Sequence, residues 1–402
     1  MSDNRKFQKF NSIFDIYPDT NFKGAVVGYY NPDGTRLKFP CTLDVSNAKR
    51  DKKRRWTASG LGLSPVVAKD ASDFLFEHER EAWIGNGFFR KQKKVFPNDY
   101  LIAIRFLDNV TRIEENAFCK CTRLTEVTVP SSVTEIGEDA FYGCIDLTTV
   151  SLPDGITKIT PQMFKGCENL EEIIVSKTNP LYASKNGVLF SKDTKTLIAC
   201  PQGKVGEYSI PEGVRIIGPG AFSNCSTLTE IKVPEGVVTI GFGAFEDCKK
   251  LKEITIPSGV KSIEAYTFAG CARLKTVTLP EGIEKIGDIA FDGCRILTSI
   301  KIPDSVTEIG WGAFRGCGAL TNITIPEGIK SIQDSSFQGC KTLTSITIPS
   351  SVTSIGGYAF SGCNNLTEVT YGGTIEQWYA LGCDMYYDPD ITCSALEGAT
   401  IK

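Results

Sequence analysis

The stretch LTEIKVPEGVVTIGFGAFEDC, from Leu228 to Cys248, decides the fold. Its succession of Leu, paired branched apolar residues, Pro, Val, Ile-Gly, Ala-Phe and Cys returns on both sides. Phenylalanines stand at Phe222, Phe245, Phe268, Phe291, Phe314, Phe337 and Phe360, every interval being 23 residues, and a cysteine follows each three positions later. A fixed period of this size marks units that cannot bury an apolar face alone and do so by stacking.

Inside each unit the Leu and the branched residues alternate with polar ones, the period of a strand buried on one side. The following Pro ends the ladder because it has no N–H to donate, and nine of the 19 prolines sit there. The segment V-x-x-I-G-x-x-A-F-x-x-C then turns back, its Ala small enough to let each Phe pack on the next. A 23-residue coil leaves no room for a full helix. The expected fold is a repeat solenoid with a continuous parallel β-sheet and a short-turn far side, preceded by a small α/β head.

The 402-residue chain exceeds the size at which one compact core stops growing, and the period resolves this in favour of an array. No run of 18 apolar residues is present that could span a bilayer. Formal charge is only -3 but unevenly spread: residues 1–100 carry 18 Lys+Arg against 12 Asp+Glu, so the head is basic and the remainder acidic. The N-terminal MSDNRKFQKFNSIFDIY lacks the apolar centre of a secretory signal, which fits either an intracellular chain or one whose signal has been removed.

Residues 1–99 do not follow the period. GAVVGYY and TRLKFPCTLDV flank Asn31-Pro32-Asp33-Gly34 as a hairpin, KRDKKRRW (Lys49 to Trp56) reads as a charged loop, and DASDFLFEHEREAW (Asp70 to Trp83) reads as a helix. Shifting the strand pattern back by 23 from Leu124, Val127 and Val129 lands on Leu101, Ile104 and Phe106, so a half-coil opens the array near residue 100. Ten full coils follow over 100–371, anchored on Phe118, Phe141, Phe164 and the seven phenylalanines above. The 58-residue gap from Phe164 to Phe222 holds a hairpin insertion near 176–205, containing GVLFSKDTKTLIACP. Residues 372–402 read as a cap, in which TIEQWYAL places Ile375, Trp378 and Leu381 on one face of a short helix.

Ten of the 15 cysteines (Cys121, Cys144, Cys167, Cys225, Cys248, Cys271, Cys294, Cys317, Cys340 and Cys363) share one repeat position. Stacked strands lie ~4.8 Å apart, a spacing that disulfides permit, yet side chains in one column point in parallel. The expectation is a buried thiol ladder in which cysteine acts as a small hydrophobe.

The consensus I-P-x-G-V-x-x-I-G-x-x-A-F-x-G-C-x-x-L-T-x-I resembles the BspA-like class of bacterial leucine-rich repeats over about residues 100–371. NGVLFSKDTKTLIACP and GGTIEQWYA also look like features of that family. The resemblance implies a surface or secreted bacterial protein whose role is adhesion or binding of a host protein. Residues 1–99 resemble no named family.

His78 is the one histidine, which removes most Ser-His and Cys-His catalytic arrangements and the usual zinc sets. Gly60-Leu61-Gly62 and Gly85-Asn86-Gly87 lack the context that would hold phosphates. No catalytic residue, metal site or cofactor is assigned. A non-catalytic interaction or adhesion module binding a protein or glycan is the primary reading. An intracellular scaffold whose basic head binds an acidic partner such as nucleic acid is the alternative, and a hydrolase within the head a third.

Two surfaces are candidates for binding. The outward strand column reads Thr128, Ser151, Ile174, Lys232, Thr255, Thr278, Lys301, Thr324, Thr347 and Thr370, beside Glu126, Glu172, Glu230, Glu253 and Glu368; Thr also simply suits exposed strand positions. In the turn before Ala-Phe, Phe242 and Trp311 share one repeat position, and Tyr266 and Tyr358 the next. Trp and Tyr anchor interfaces more often than other residues, so this edge either contacts a partner or packs each ring on its neighbouring turn. The basic run at Lys49–Arg55, with Arg90, Lys91, Lys93 and Lys94, reads as solvated charge in preference to a nucleic-acid site.

Overall fold

The computed structural model describes residues 103–106, 110–113 and 115–381, together with the backbone of four short strands at 49–50, 56–57, 81–84 and 400–401. The chain divides into two compact units, Met1–Gly187 and Val188–Lys402.

In the first unit a parallel sheet runs through Glu81–Ile84, Ala103–Phe106, Glu126–Thr128, Thr149–Leu152 and Glu172–Val175. The period is visible in the register, Glu126 facing Thr149 and Thr149 facing Glu172. Val127, Val150 and Ile173 turn inward and are buried, while Glu126, Thr128 and Glu172 stay exposed. A second, shorter ladder pairs Arg112–Ile113 with Glu135–Ile136. Below these ladders the rings of Phe118, Phe141 and Phe164 stack at 5.6 and 6.3 Å.

Two sequence expectations are corrected here. Glu81, Ala82 and Trp83, read as the end of a helix, lie in a strand that pairs in parallel with Ala103–Phe106, Trp83 facing Arg105. The open edge of a parallel sheet supplies ladder partners to Glu-Ala-Trp-Ile, and tertiary pairing overrides the weak helical preference. The basic run is bounded by paired strands, since Lys49–Arg50 and Trp56–Thr57 form an antiparallel ladder with Arg50 opposite Trp56. The hairpin expected around Asn31–Gly34, the rest of the expected helix and the second basic cluster lie outside the described residues.

Asn179 fastens residues 153–182 together. Its buried Nδ2 donates to the carbonyls of Pro153, Asp154 and Ile156 at 3.0–3.1 Å, and its Oδ1 accepts from the N–H groups of Leu181 and Tyr182 at 2.9 Å. Tyr182 completes the clamp: its hydroxyl donates to the Thr157 carbonyl at 3.1 Å and accepts from the Ile159 N–H at 3.2 Å.

The second unit opens with Val188–Ser191, antiparallel to Thr196–Ala199. Thr196–Ala199 is also parallel to Ile216–Ile217, which pairs in turn with Thr239–Ile240. On the strand face Gly206–Ser209 pairs with Leu228–Lys232, Glu253–Thr255 with Thr276–Thr278, and Asn322–Thr324, Ser345–Ile348, Glu368–Tyr371 and Thr400–Ile401 form a run of four, all parallel. Seven phenylalanines from Phe222 to Phe360 stack at 5.3–5.6 Å, every pair within 19° of parallel. Leu, Ile, Val and Cys of each coil surround them in one continuous core.

Coil geometry explains the small residues of the consensus. A Cβ on Gly287 would lie 2.5 Å from the Ala265 nitrogen, and one on Gly241 would lie 2.6 Å from the Pro219 nitrogen. The Gly of Ile-Gly is therefore where one coil's backbone passes over the next. Where the Ala before Phe is replaced by Thr267 or Ser336, the buried hydroxyl donates to Glu264 or Gln333 carbonyl oxygen at 2.7 Å.

At the C-terminal side Thr374 and Gln377 cap the helix Ile375–Ala380 reciprocally, at 2.8 and 3.3 Å. Trp378 and Leu381 are buried, with Trp378 5.4 Å from the Tyr371 ring. Ile375 departs from the expected apolar face: it is exposed, because the first residue of so short a helix points away from the coil beneath.

Candidate functional site

The far side of each coil is a turn with the Phe at its centre and a left-handed residue two positions after it, and in every coil but that of Phe164, where Pro161–Phe164 form a 3-10 turn, another two positions before it. Before the Phe these are Asn116, Asp139, Gly220, Gly243, Tyr266, Ile289, Gly312, Ser335 and Tyr358, with φ between 53 and 63°. After it they are Lys120, Gly143, Gly166, Asn224, Asp247, Gly270, Gly293, Gly316, Gly339 and Gly362. Both reversals aim backbone N–H groups along the stack. The Tyr266 N–H donates to Asp288 carbonyl oxygen, Phe268 to Ala290 and Gly270 to Asp292, all at 2.8–2.9 Å. Three such bonds per coil replace the helix that a longer repeat would carry.

The four aromatic residues singled out in the sequence sit on the leading edge of these turns. Phe242 is 53% exposed, Trp311 and Tyr358 are each 42% exposed, and Tyr266 is half-buried. The structure brings Phe242 and Tyr266 together, ring centroids 5.1 Å apart and tilted by 45°. Trp311 and Tyr358 make no ring contact among the described residues. In the same repeat column Asp288 precedes Trp311 by one coil and Asp334 follows it by one, and their Oδ1 atoms accept from the Trp311 N–H at 3.0 Å and the Gly357 N–H at 2.8 Å. Each Asp thus fixes the backbone of the next coil's edge.

Cysteine is more than a small hydrophobe here. Eight of the ten thiols in the column donate to the Phe carbonyl of the preceding coil, for instance Cys248 to Phe222, Cys271 to Phe245 and Cys294 to Phe268, at 3.1–3.3 Å, whereas Cys225 donates to the carbonyls of Cys200 and Pro201. All twelve described cysteines are free, and all but Cys119 are buried. Burial pushes the thiols of Cys248, Cys271, Cys294 and Cys317 up, the direction opposite to that of a reactive nucleophile. Among the described residues no group of His, Cys, Asp or Glu is placed to hold a metal ion, and no helix is long and apolar enough to cross a membrane.

Among curated proteins none is similar to this sequence. Solved structures are. A leucine-rich repeat protein of Eubacterium ventriosum is 26% identical, with a TM-score of 0.54 over 73% of this chain and 91% of that one. The pneumococcal vaccine antigen PcpA is 22% identical, with a TM-score of 0.53 over 79% of this chain and 80% of that one, a likeness of fold. The BspA type leucine rich repeat region matches in six copies over residues 92–197, 199–317 and 262–381. With its period, its stacked phenylalanines and its parallel ladders, the chain belongs to the BspA-type leucine-rich repeat family.

Proposed function

We propose that the second unit is a binding module whose turn edge, carrying Phe242, Tyr266, Trp311 and Tyr358, contacts a protein or glycan partner, and that the protein works at or outside a bacterial cell surface. The backbone at Tyr266 and Tyr358 carries this reading. Both residues hold φ of about 60°, 61° and 57°, at a position where Gly220, Gly243 and Gly312 stand in other coils. A left-handed conformation costs an L-residue ~1–2 kcal/mol, and strain of this kind collects at functional positions. Glycine would relieve it; an exposed phenol stands there at Tyr358 and a half-buried one at Tyr266.

The edge also has the make-up of an interface. Trp311 and Tyr358 lie two coils apart, each step about 5.5 Å along the Phe stack, and both expose large rigid rings that lose little entropy on contact. Surface location is supported by the family and by a fold shared with a pneumococcal vaccine antigen.

The test compares the full chain with a Trp311→Ser, Tyr358→Gly double variant on a glycan array and on a panel of immobilised extracellular proteins. Loss of at least about tenfold in affinity is expected for whatever ligand the wild type captures, since two interface aromatics are removed. Unchanged binding would remove the edge from the function. Fractionation of source cells tests the location separately.

A further inference from the structure

On the strand face of the second unit the parallel ladder is interrupted. Leu228–Lys232 pairs with Gly206–Ser209, and Glu253–Thr255 with Thr276–Thr278, but Leu228–Lys232 and Glu253–Thr255 belong to separate sheets. They are tied at their starts, where the Lys252 N–H donates to the Thr229 carbonyl at 3.2 Å. Where they part lies a depression of about 310 Å³, whose lining includes Glu230, Lys232, Val233, Glu253, Thr255 and Thr278.

The charges around this depression are unbalanced. Glu207 faces Glu230 across the first pair of strands, and the repeat carries Glu253 into the same column one coil later. Lys232 reaches Glu207 at 3.5 Å and Glu230 at 3.3 Å. No ion pair reaches Glu253 among the described residues. Like charges facing each other on adjacent strands repel. Lys232 bridges Glu207 and Glu230, so three carboxylates stand against this one ammonium, and Glu253 is the one left without an ion pair. Val233, at the rim, is half-buried, whereas its counterpart Ile256 one coil on is buried.

We propose that this depression binds a lysine or arginine side chain carried by an extended segment of a protein partner. Its cationic head pairs with the Glu253 carboxylate, competes with Lys232 for that of Glu230, and donates to the hydroxyls of Thr255 and Thr278. Its aliphatic stem lies along Val233, as the stems of long basic side chains do on apolar surface. The partner's main chain pairs with strand backbone that has no ladder at this junction. The site lies on the strand face, apart from the aromatic edge, and does not depend on the function proposed for that edge.

The experiment titrates the isotope-labelled full chain with a blocked Val-Arg-Val tripeptide and with the same peptide carrying citrulline, an uncharged isostere. Shifts confined to residues 230–233, 253–255 and 276–278 are expected with the arginine peptide, and at least about fivefold weaker binding with citrulline, the scale of a partly solvated charge pair. Glu253→Gln lowers the affinity by a similar factor. Lys232→Ala raises it severalfold, because Glu230 loses its competing internal partner. Glu368→Gln, in the same column several coils away, leaves it unchanged. Glu253 and Lys232 are exposed and Glu368 is half-buried, and circular dichroism verifies that each variant folds. Equal binding of the citrulline peptide, equal effects of Glu253→Gln and Glu368→Gln, or weaker binding by Lys232→Ala overturns the proposal.

Discussion

The thiol of Cys317 donates to the carbonyl of Phe291 in the preceding coil at 3.2 Å, and that same carbonyl accepts the N–H of Cys294 at 3.1 Å. One buried oxygen therefore ties its own turn to the next coil. Cys317→Ser keeps a donor and is expected to cost less stability than Cys317→Val, which removes the donor and crowds a packed site at about 1–3 kcal/mol. Denaturant unfolding of the two variants checks the order. If Val is the milder change, the thiol is only a hydrophobe.

Phe291 lies between Phe268 and Phe314, each 5.3 Å away. Phe291→Ala leaves a cavity that stacked neighbours cannot close and is expected to cost about 3–5 kcal/mol in equilibrium unfolding. A loss below about 1 kcal/mol would contradict the packing described here.

The left-handed turn position gives two changes of opposite sign. Gly312 has φ of 58°, and an added Cβ would stand 3.6 Å from Ile289 Cγ1, an ordinary contact. Gly312→Ala is therefore expected to cost ~1–2 kcal/mol from backbone conformation alone. Tyr358→Gly, at an exposed side chain in the same conformation, is expected to gain up to about 1 kcal/mol. Thermal unfolding of both variants tests the strain on which the proposed aromatic edge rests.

Stability is expected to fall steeply under alkaline conditions. Burial raises the thiol pKa of Cys121, Cys248, Cys271, Cys294 and Cys317 in the folded state. Above the unfolded value of about 8.5 the unfolded chain loses these protons while the folded chain keeps them. Their contribution is complete below that pH and declines above it, by ~1.4 kcal/mol per pH unit for each thiol. Unfolding monitored between pH 7 and 10 should show the decline, and a flat profile would mean that the thiols are reached by water.

Asn179→Ala strips partners from three carbonyls and two N–H groups of the first unit. Each group left buried and unpaired costs about 1–3 kcal/mol, so a total above about 3 kcal/mol is expected. Limited proteolysis should then cut within residues 153–182, which the wild type protects.

The stack itself was legible from residue spacing. Phe222 through Phe360 recur every 23 residues, and the structure layers their rings within 5.6 Å of one another. The thiol column was legible too, but not its hydrogen bonds, because a cysteine beside a phenylalanine reads the same whether its sulfur meets a methyl group or a carbonyl. At the turn edge, Phe242, Tyr266, Trp311 and Tyr358 could be aligned by repeat position, yet alignment does not reveal φ. The strain at Tyr266 and Tyr358, and the contact of Phe242 with Tyr266, follow from the backbone path. Trp83 was misread for a related reason: its strand is made by Ala103–Phe106, 20 residues further along.

What the sequence by itself determined is the coil, since apolar period, proline and glycine act within 23 residues and dictate which side chains face inward. What only the tertiary structure decided is how neighbouring coils meet. The thiol-to-carbonyl bonds, the clamp at Asn179 and the parting of strands at Glu230 and Glu253 each set groups from one coil against groups from another. Their energies depend on distances that stacking alone creates.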